Sequence, residues 1–444
     1  MLSFGFAMTN SPPIRALAER HTSLAGAIAL AEAEMEDLGV RARLQELGQP
    51  PFTTIQVDLV DSTDEIVAWG VGKGEGEQCR ASAFFESLEH LWVERGPKAA
   101  FDRPESIQVA RIEDLLEQPP LRREHVLTRF AREFPGARVR VAKFVEWGSG
   151  AALWYPLFLK NPYFALMPND PPDDHARFEA YGRYSSNSGT ASGATEEDAL
   201  LHALLEAIER DAMSLALLEW FASASPSSLR TVAAEALPDD LQLLHRKAEE
   251  LLGSPPVLLD ITSDLDVPAF MALPSRQGPY LGMHGSGASL NPQYAVQRAL
   301  QELVQMHHCC EASPELDIDL RRQLPSLAAW PTLTQCVELD PAVILTRPQR
   351  PSPLTAAVTT APPAGALGAQ LQTLVQRLNA QGLQFFHFRW SPPSSRVPVV
   401  CALVPGLEMF SLSTSGAAIL PTGRGYSRLR LPAVDDGRLD AEIR

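Results

Sequence analysis

The sequence predicts one large mixed α/β (α+β) domain, and three observations lead to this fold class. The chain has 444 residues, 45% of them apolar and 21% charged, which is the composition of a globular protein with a substantial core. Apolar and polar residues alternate after Thr53 and again at 257–262, 267–272, 385–390 and 397–404, which predicts strands. Apolar segments with helical periodicity lie between them without strict strand–helix alternation, so an α/β or α+β arrangement is expected.

Composition divides the chain into three parts. Residues 14–48 are rich in Ala, Leu, Glu and Arg and predict two short amphipathic helices that end before Pro50-Pro51. Residues 1–50 are therefore interpreted as an N-terminal helical extension, 51–430 as the main domain and 431–444 as a C-terminal tail. Proline-rich loops are predicted within the main domain at 167–175, 222–228 and 346–368.

Charge and cysteine content exclude several classes of protein. The 38 basic residues against 54 acidic ones give a net charge of −16, and no cluster of Lys and Arg stands out, so nucleic-acid and anionic-membrane partners are not expected. The 5 cysteines include no Cys-x-x-Cys pair, which argues against a zinc site or a disulfide framework and favours a reducing compartment. Without a signal sequence or a long apolar segment, we expect a cytoplasmic protein with no membrane partner.

A pattern that occurs three times is the most informative feature. Each time, a glycine-rich turn leads into an apolar helix that carries Ala-x-x-Glu-x-x-Glu/Gln. The turns lie at 72–76, 185–193 and 285–287, and the helical segments at 83–90, 203–210 and 298–305. The spacing of about 90–120 residues is far longer than a solenoid period. We interpret the three segments as one supersecondary unit, used repeatedly around a single site.

The acidic residues of these helices are expected to share faces. Residues three or four apart on a helix point the same way, so Glu86 pairs with Glu89 and Glu206 with Glu209. The second helix carries a polar stripe on one face, made of Asp198, His202, Glu206 and Glu209. A solvated amphipathic face would explain one such helix, but three helices with the same acidic register favour a common cluster.

Converging carboxylates repel one another and persist only where cations neutralise them. Ligands that are all oxygen favour Mg²⁺, which usually completes its coordination shell with substrate phosphates. The glycine-rich turns would then present backbone N–H groups to those phosphates. The pattern therefore predicts a magnesium and phosphate site.

Other ligand chemistries fit the sequence less well. Di-iron carboxylate bundles need Glu-x-x-His pairs, and neither Glu206 nor Glu302 has a histidine three residues later. The tract His307-His308-Cys309-Cys310 has metal-binding residue types, but helix neighbours diverge by about 100°, so a buried helix end is the favoured interpretation. Neither a P-loop nor a Rossmann fingerprint occurs, so a nucleotide would need another architecture.

At these residues the sequence resembles the YcaO-domain family, ATP-dependent enzymes that modify backbone amides of ribosomally made peptides. A first motif, roughly GKG…SAxxExxER, is matched at 72–74 and 82–89, with His90 where Arg is usual. A second, roughly SNGxAxGxTxxEAxxxALxExIERDA, is matched from 186 to 212, with Asp198 where Glu is usual. The third, roughly GxGxxxxPxxAxxRAxxExxQ, is matched by Gly285, Gly287, Pro292, Ala295, Arg298, Ala299, Glu302 and Gln305.

The resemblance implies roles for individual residues. Five acids are expected to hold Mg²⁺: Glu86, Glu89, Glu206, Glu209 and Glu302. A second set is expected to contact ATP: Lys73, Ser186, Asn187, Arg210, Arg298 and Glu302. The catalytic set comprises Glu206, Glu209, Arg298 and Glu302. Simpler interpretations remain open for three of these residues. Arg210 could serve merely as the helix partner of Glu206, Lys73 could be an exposed turn residue, and Asn187 could be present merely because it tolerates a left-handed conformation.

The chemistry implied by the resemblance is the activation of a peptide amide. A nucleophile adds to the carbonyl, ATP phosphorylates the resulting oxyanion, and phosphate leaves. Azoline-forming cyclodehydration of Cys, Ser or Thr is the favoured outcome. Thioamide formation with a sulfur-delivery partner and a non-catalytic ATP-binding scaffold are the alternatives, and a structural protein with acidic helices is a third. The sequence does not end in the Pro-x-Pro-x-Pro tail of many azoline-forming members, which weakens the azoline interpretation and strengthens thioamide formation or another reaction directed at the amide.

The resemblance also implies partners. The substrate would be a ribosomal precursor peptide, and no segment resembles a domain that binds its leader. We therefore expect a separate partner protein, either a leader-binding E1-like protein or a TfuA-like protein. Residues 1–50 would supply a docking element or the contact of a homodimer.

Overall fold

Three β-sheets with helices packed on them make up the described part of the chain. A computed structural model describes residues 19–101, 105–165, 179–223, 226–328, 331–352, 367–410, 421–422 and 424–425. The α-helices are α1 Leu24–Asp37, α2 Glu77–Phe101, α3 Ile112–Leu116, α4 His125–Glu133, α5 Leu157–Lys160, α6 Pro162–Ala165, α7 Glu196–Ala222, α8 Asp239–Leu252, α9 Pro292–Ala312, α10 Glu315–Gln323, α11 Pro331–Glu338, α12 Pro341–Ile344 and α13 Leu367–Ala380. The strands are β1 Arg41–Gln49, β2 Phe52–Val60, β3 Ile66–Gly74, β4 Ile107–Arg111, β5 Arg138–Glu146, β6 Ala152–Pro156, β7 Thr190–Ser192, β8 Leu229–Val232, β9 Pro256–Asp260, β10 Ala269–Pro274, β11 Gly285–Ala288, β12 Gln349–Pro351, β13 Phe386–Arg389 and β14 Val399–Leu403.

The strands pair mostly with antiparallel neighbours. The first sheet has the order β1-β2-β3, and the second has the order β11-β10-β9-β8-β12, in which β12 and β8 are parallel. The third has the order β4-β5-β13-β14-β7, and β6 also pairs with β5. The predicted mixture of helices and strands is therefore observed, with sheets that contain few parallel pairs.

Sequence alternation located several of these strands correctly. The hairpin predicted after Thr53 is confirmed as β2 and β3, and the four later predictions correspond to β9, β10, β13 and β14. Loop 167–175 lies outside the described residues, as does the greater part of 346–368. Within the described residues, no helix has the combination of length and apolar character that a membrane span requires.

The N-terminal region differs from the prediction of two helices. One helix, α1, is present, and the second predicted helix is the strand β1. This strand pairs with β2 along its whole length, from Arg41 opposite Val60 to Gln49 opposite Phe52, and such pairing overrides local helix propensity. A domain boundary at residue 50 would cut through this hairpin. The N-terminal extension is therefore not purely helical.

Three strand–helix units position the site. Strand β3 is followed by α2, β7 by α7, and β11 by α9, and each helix packs on the strand that precedes it. In addition, α9 contacts β3, α2 contacts β7, and α7 contacts β11, so the units interlock in a ring. The three strands belong to three different sheets, so the interpretation as one repeated unit stays a prediction.

The glycine-rich segments at 72–76 and 285–287 are largely strand, whereas the sequence predicts turns there. A Cβ atom at Gly72 would collide with the carbonyl oxygen of Cys79, and one at Gly285 would collide with the backbone nitrogen of Leu303. The absence of a side chain therefore lets a helix backbone lie directly on the strand. At these positions glycine allows close packing of a helix on a strand. The role predicted from the sequence was different, namely a turn that binds phosphate.

Candidate active site

Helix α7 begins at a capping box that accounts for the first acid of the predicted stripe. The backbone nitrogen of Asp198 donates to Thr195 Oγ1 at 3.1 Å, and that of Thr195 donates to Asp198 Oδ2 at 3.2 Å. Asp198 is buried by this arrangement. It stabilises the helix start, because it satisfies backbone N–H groups that have no partner within the helix.

Glu209 connects α7 to the third strand–helix unit. Its carboxylate is only 2% exposed and accepts hydrogen bonds from Ser286 Oγ at 2.6 Å and from the backbone nitrogen of Ala288 at 3.0 Å. Arg298 of α9 donates to the same carboxylate at 3.4 Å. The buried charge is therefore compensated by two hydrogen bonds and a guanidinium group.

Glu302 connects α9 to the first unit. Lys73 Nζ, at the end of β3, donates a hydrogen bond to Glu302, and Ser286 Oγ lies 3.5 Å from its other oxygen. Burial would raise the pKa of Glu302, but the charges of Lys73, Arg210 and Arg298 outweigh it and lower that pKa to about 2. Lys73 is only 21% exposed, so the alternative of an exposed turn residue is wrong.

The other three acids of the cluster are Glu86, Glu89 and Glu206, and their negative charges repel one another. Burial, with the charges of Glu206 and Glu86, raises the pKa of Glu89 well above its ordinary value. Burial also raises the pKa of Glu206 to about 7, and Glu209 adds to the effect while Arg210 opposes it. The pKa of Glu86 is raised by burial as well. Carboxylates held this close favour either a bound proton or a bound cation.

Two arginines lie among the acids. Arg210 Nε is 3.8 Å from Glu206 Oε1, which confirms the helix pair, and the charge of Arg210 also acts on Glu209 and Glu302. Both Arg210 and Arg298 have a buried Nε without a hydrogen-bond partner among the described residues. Buried donors of this kind match the oxygen atoms of a phosphate group. The residue set therefore fits a site that binds a polyanion and cations at the same time.

The metal ligands named from the sequence stay a prediction. In the described ranges, no three His, Cys, Asp or Glu side chains are arranged so that they could hold a metal ion by themselves. Glu209 and Glu302 instead pair with Arg298 and Lys73. The arrangement that the structure does establish is five acids from three helices beside Lys73 and two arginines.

The His-Cys tract lies on the last turns of α9, and both of its histidines contact residues other than the five clustered acids. His308 Nδ1 is 3.0 Å from Thr54 Oγ1, and His307 Nε2 is 3.4 Å from Glu311. These contacts tie the helix end to β2 and to its own last turn.

The turn before β7 contains Ser186 and Asn187. Ser186 is buried, and its hydroxyl accepts a hydrogen bond from the backbone nitrogen of Ser188 at 3.0 Å. Asn187 does not have a positive φ, whereas Gly189 has φ 81°, so the explanation of Asn187 by a left-handed conformation is wrong. The predicted nucleotide contacts of both residues stay predictions.

Sequence reasoning missed two contributors to the site. Ser286 contacts both Glu209 and Glu302, and its position between Gly285 and Gly287 was the available indication. The second contributor is the segment 19–21, which precedes α1. Its contacts join residues about 180 to 270 positions apart, and local periodicity contains no information on such contacts.

In the part of the chain that the structure describes, buried carboxylates lie close to two arginines whose Nε groups have no hydrogen-bond partner. The chain belongs to the YcaO family, because the family described as YcaO cyclodehydratase, ATP- and Mg²⁺-binding, matches residues 71–408. The family resemblance drawn from the motifs is thereby confirmed. ATP and Mg²⁺ are confirmed as cofactors at the level of the family, and the chain is assigned to the ATP-dependent enzymes of that family.

Solved structures share the fold. The YcaO protein of Methanopyrus kandleri, bound with AMPPCP and Mg²⁺, is 19% identical with a TM-score of 0.61, and the match covers 90% of this chain and 96% of that one. A heterocyclase in complex with substrate and cofactor is 19% identical with a TM-score of 0.62, over 95% of this chain and 56% of that one. The E. coli microcin synthetase McbBCD complex contains a chain that is 15% identical with a TM-score of 0.50, over 85% of this chain and 90% of that one.

Two relatives are similar in sequence. An uncharacterized protein of Methanothermobacter thermautotrophicus is 26% identical over 380 residues, which is 83% of this chain and 88% of the relative. A protein from the tfuA 3′ region of Rhizobium leguminosarum bv. trifolii is 27% identical over 249 residues, which is 53% of this chain and 56% of the relative.

Proposed function

We propose that this protein uses ATP and Mg²⁺ to activate a backbone amide of a ribosomally made peptide, and that the product is an azoline formed from Cys, Ser or Thr. The observation that carries the proposal is the convergence of acids from α2, α7 and α9 on Lys73, Arg210 and Arg298, in a chain of the YcaO family. An ordinary solvated helix face would not place these charges in a common buried cluster.

Each group in the cluster has a task in this proposal. The acids that would hold Mg²⁺ are Glu86, Glu89, Glu206, Glu209 and Glu302. Arg298 and Arg210 would bind phosphate oxygens through their Nε groups, which have no hydrogen-bond partner among the described residues, and Lys73 keeps Glu302 ionised. ATP, when bound, supplies the phosphoryl group that turns an amide oxygen into a leaving group. The burial of the cluster limits access of water, which strengthens every charge interaction within it.

The thiols of the chain support a nucleophile that comes from the substrate. All five cysteines are free. Burial raises the pKa of Cys79 and Cys309 to about 12 and that of Cys310 to about 11, and it also raises the pKa of Cys336 and Cys401. Thiols with such pKa values are poor nucleophiles near neutral pH. Catalysis in this proposal therefore consists of positioning and charge neutralisation.

Thioamide formation is the second candidate, and a specific observation favours it. The Rhizobium relative is encoded in the tfuA region, and a TfuA-like protein would be the sulfur-delivery partner. The same cluster would then activate the amide for attack by an external sulfide. A leader-binding E1-like partner belongs instead with the azoline reaction.

The experiment uses the purified full chain with Mg²⁺-ATP and short peptides encoded beside its gene, with and without the neighbouring partner protein. ADP release that depends on the peptide supports an amide-activating enzyme, and release without a peptide effect contradicts it. Mass spectrometry then separates the products, because azoline formation removes one water per site whereas thioamide formation replaces one oxygen by sulfur. Glu206→Gln is the inactive control.

A further inference from the structure

A buried hydroxyl group lies between two carboxylates that come from different helices. Ser286 of β11 is fully buried, and its Oγ is 2.6 Å from Glu209 Oε1 on α7 and 3.5 Å from Glu302 Oε1 on α9. The third family motif, GxGxxxxPxxAxxRAxxExxQ, specifies no residue at this position. The contacts of Ser286 with both acids therefore follow from the structure and not from the motif.

The second oxygen of each carboxylate is held by other groups. Glu209 Oε2 accepts a hydrogen bond from the backbone nitrogen of Ala288 at 3.0 Å and lies 3.4 Å from Arg298 Nη2. Glu302 Oε2 accepts a hydrogen bond from Lys73 Nζ. Both carboxylates are thereby fixed with their Oε1 atoms towards the same hydroxyl group.

This hydroxyl group has a single proton, which it donates to one of the two carboxylates. The proton belongs to the contact with Glu209, because 2.6 Å is an ordinary length for a hydrogen bond from a hydroxyl to a carboxylate and 3.5 Å is too long for one. Ser286 Oγ and Glu302 Oε1 therefore face each other without a proton between them. Two buried oxygen atoms in this arrangement are suitable ligands for a shared cation.

The spacing of these two oxygens is close to that required by Mg²⁺. The ion binds oxygen at about 2.1 Å in an octahedral shell, so neighbouring ligands lie about 3 Å apart. Ser286 Oγ and Glu302 Oε1 are 3.5 Å apart and would share the ion after a small approach. Mg²⁺ usually takes only one or two carboxylates, and a serine or threonine hydroxyl is among its ligands in P-loop nucleotide sites.

We propose that Ser286 is a ligand of Mg²⁺: its hydroxyl oxygen binds the ion together with Glu302 Oε1, while its proton remains hydrogen-bonded to Glu209. This inference rests on the proposed function, because it concerns the Mg²⁺ that accompanies the nucleotide. The hydroxyl group is neutral, so it supplies an oxygen ligand without adding to the repulsion among the glutamates. Its hydrogen bond to Glu209 orients the oxygen towards the ion.

A change of metal preference tests this assignment. Calorimetry with a non-hydrolysable ATP analogue compares binding in Mg²⁺ and in Cd²⁺ for the wild type and Ser286→Cys. A sulfur ligand disfavours a hard ion and favours a soft one. In the variant, the ratio of the affinity in Cd²⁺ to the affinity in Mg²⁺ should therefore rise by roughly 10–100-fold, the range typical for changes at a metal site. The ultraviolet absorption of a cadmium–thiolate bond should also appear, and it does not depend on activity.

The matched control is a buried serine whose hydroxyl group contacts no carboxylate. Ser87 on α2 is as buried as Ser286, and its Oγ donates a hydrogen bond to the backbone oxygen of Phe84 at 2.9 Å. Ser87→Cys should keep the metal preference of the wild type and should not gain the cadmium–thiolate absorption.

The other outcomes separate this inference from the proposed function. If Ser286→Cys keeps the metal preference of the wild type, Ser286 only orients Glu209 and the inference is overturned, while the proposed function stands. If Ser286→Cys does not fold, Ser286→Ala decides. In the background of Glu302→Gln it should cause little further loss of affinity, because the two residues share one ion, and an undiminished loss would overturn the inference. If the wild type does not bind the analogue with Mg²⁺, the proposed function fails, and the inference fails with it.

Discussion

Lys73 on β3 donates a hydrogen bond to Glu302 on α9, although the two residues are 229 positions apart in the sequence. Both side chains are about four-fifths buried, with exposed fractions of 21% and 19%. The pair joins the first strand–helix unit to the third, in the same way that Glu209 and Ser286 join the second to the third. These contacts turn three separate motifs into one site.

Loss of the lysine charge should disable the site, because Glu302 loses its nearest cation. In Lys73→Met, the pKa of Glu302 should rise, and peptide-dependent ATP turnover should fall at least tenfold. The double variant with Glu302→Gln should be no worse than the more damaging single variant, because the two residues act as a unit. Lys247→Met removes an exposed pair with Glu250 (2.6 Å) and should change neither turnover nor stability beyond about 0.5 kcal/mol. Multiplicative losses in the double variant would contradict a shared function.

The two acids of α7 should respond differently to the same substitution. Glu209→Gln can turn its NH₂ to the Ser286 hydroxyl and keep its oxygen on Ala288 and Arg298, but it loses the charge that Arg298 pairs with. The free energy of unfolding should therefore fall by about 1–3 kcal/mol, because a hydrogen bond to a charged group is weakened. Glu206→Gln relieves repulsion with Glu89, so stability should be unchanged or higher while turnover falls by orders of magnitude. Denaturant unfolding measures both, with the exposed Glu249→Gln on α8 as control. Equal destabilisation by the two variants would contradict the assigned contacts.

The stability of the protein without nucleotide should depend on Glu206 in a defined pH range. Burial raises the pKa of Glu206 from its ordinary value of 4.5 to about 7 in the folded protein, so the folded state holds a proton that the unfolded chain releases between these values. The contribution of Glu206 is therefore present below pH 4.5 and is lost as pH rises through 7, by roughly 3 kcal/mol in total. Thermal unfolding of the wild type and Glu206→Gln from pH 4.5 to 8 measures the difference. A difference that does not change with pH would contradict the raised pKa.

Mg²⁺ should be required for nucleotide binding. Five carboxylates facing a polyphosphate repel it unless cations intervene. Calorimetry should therefore detect ATP binding in excess Mg²⁺ and little or none in excess EDTA. Tight binding in EDTA would contradict the role assigned to the glutamates.

A methyl group at Gly285 should separate β11 from α9. The added Cβ would meet the backbone of α9 at Leu303 and Ala299, which cannot move locally, so Gly285→Ala should lower the free energy of unfolding by about 1–3 kcal/mol. Gly278→Ala has open space around its Cβ and provides the control. Equal unfolding midpoints for the two variants would show that close packing at β11 is not required.

The sequence by itself determined the features that depend on local spacing. Helical periodicity placed Glu86 with Glu89 and Glu206 with Glu209, and alternation located β2, β3, β9, β10, β13 and β14. The motifs around Arg298 and Glu302 led to the family that residues 71–408 match. Such features follow from 3.6-residue and two-residue repeats, which any single segment contains.

Only the tertiary structure decided which partner each residue has. Residues 41–49 form a strand because β2 lies beside them, Asp198 caps α7, and Gly285 allows α9 to approach its strand. Glu302 meets Lys73, and Glu19 reaches Ser289, through contacts over 229 and 270 positions. Pairings at such separation depend on how the three sheets pack together. The free energy of that packing depends on the whole chain, so it cannot be predicted from a short segment of sequence.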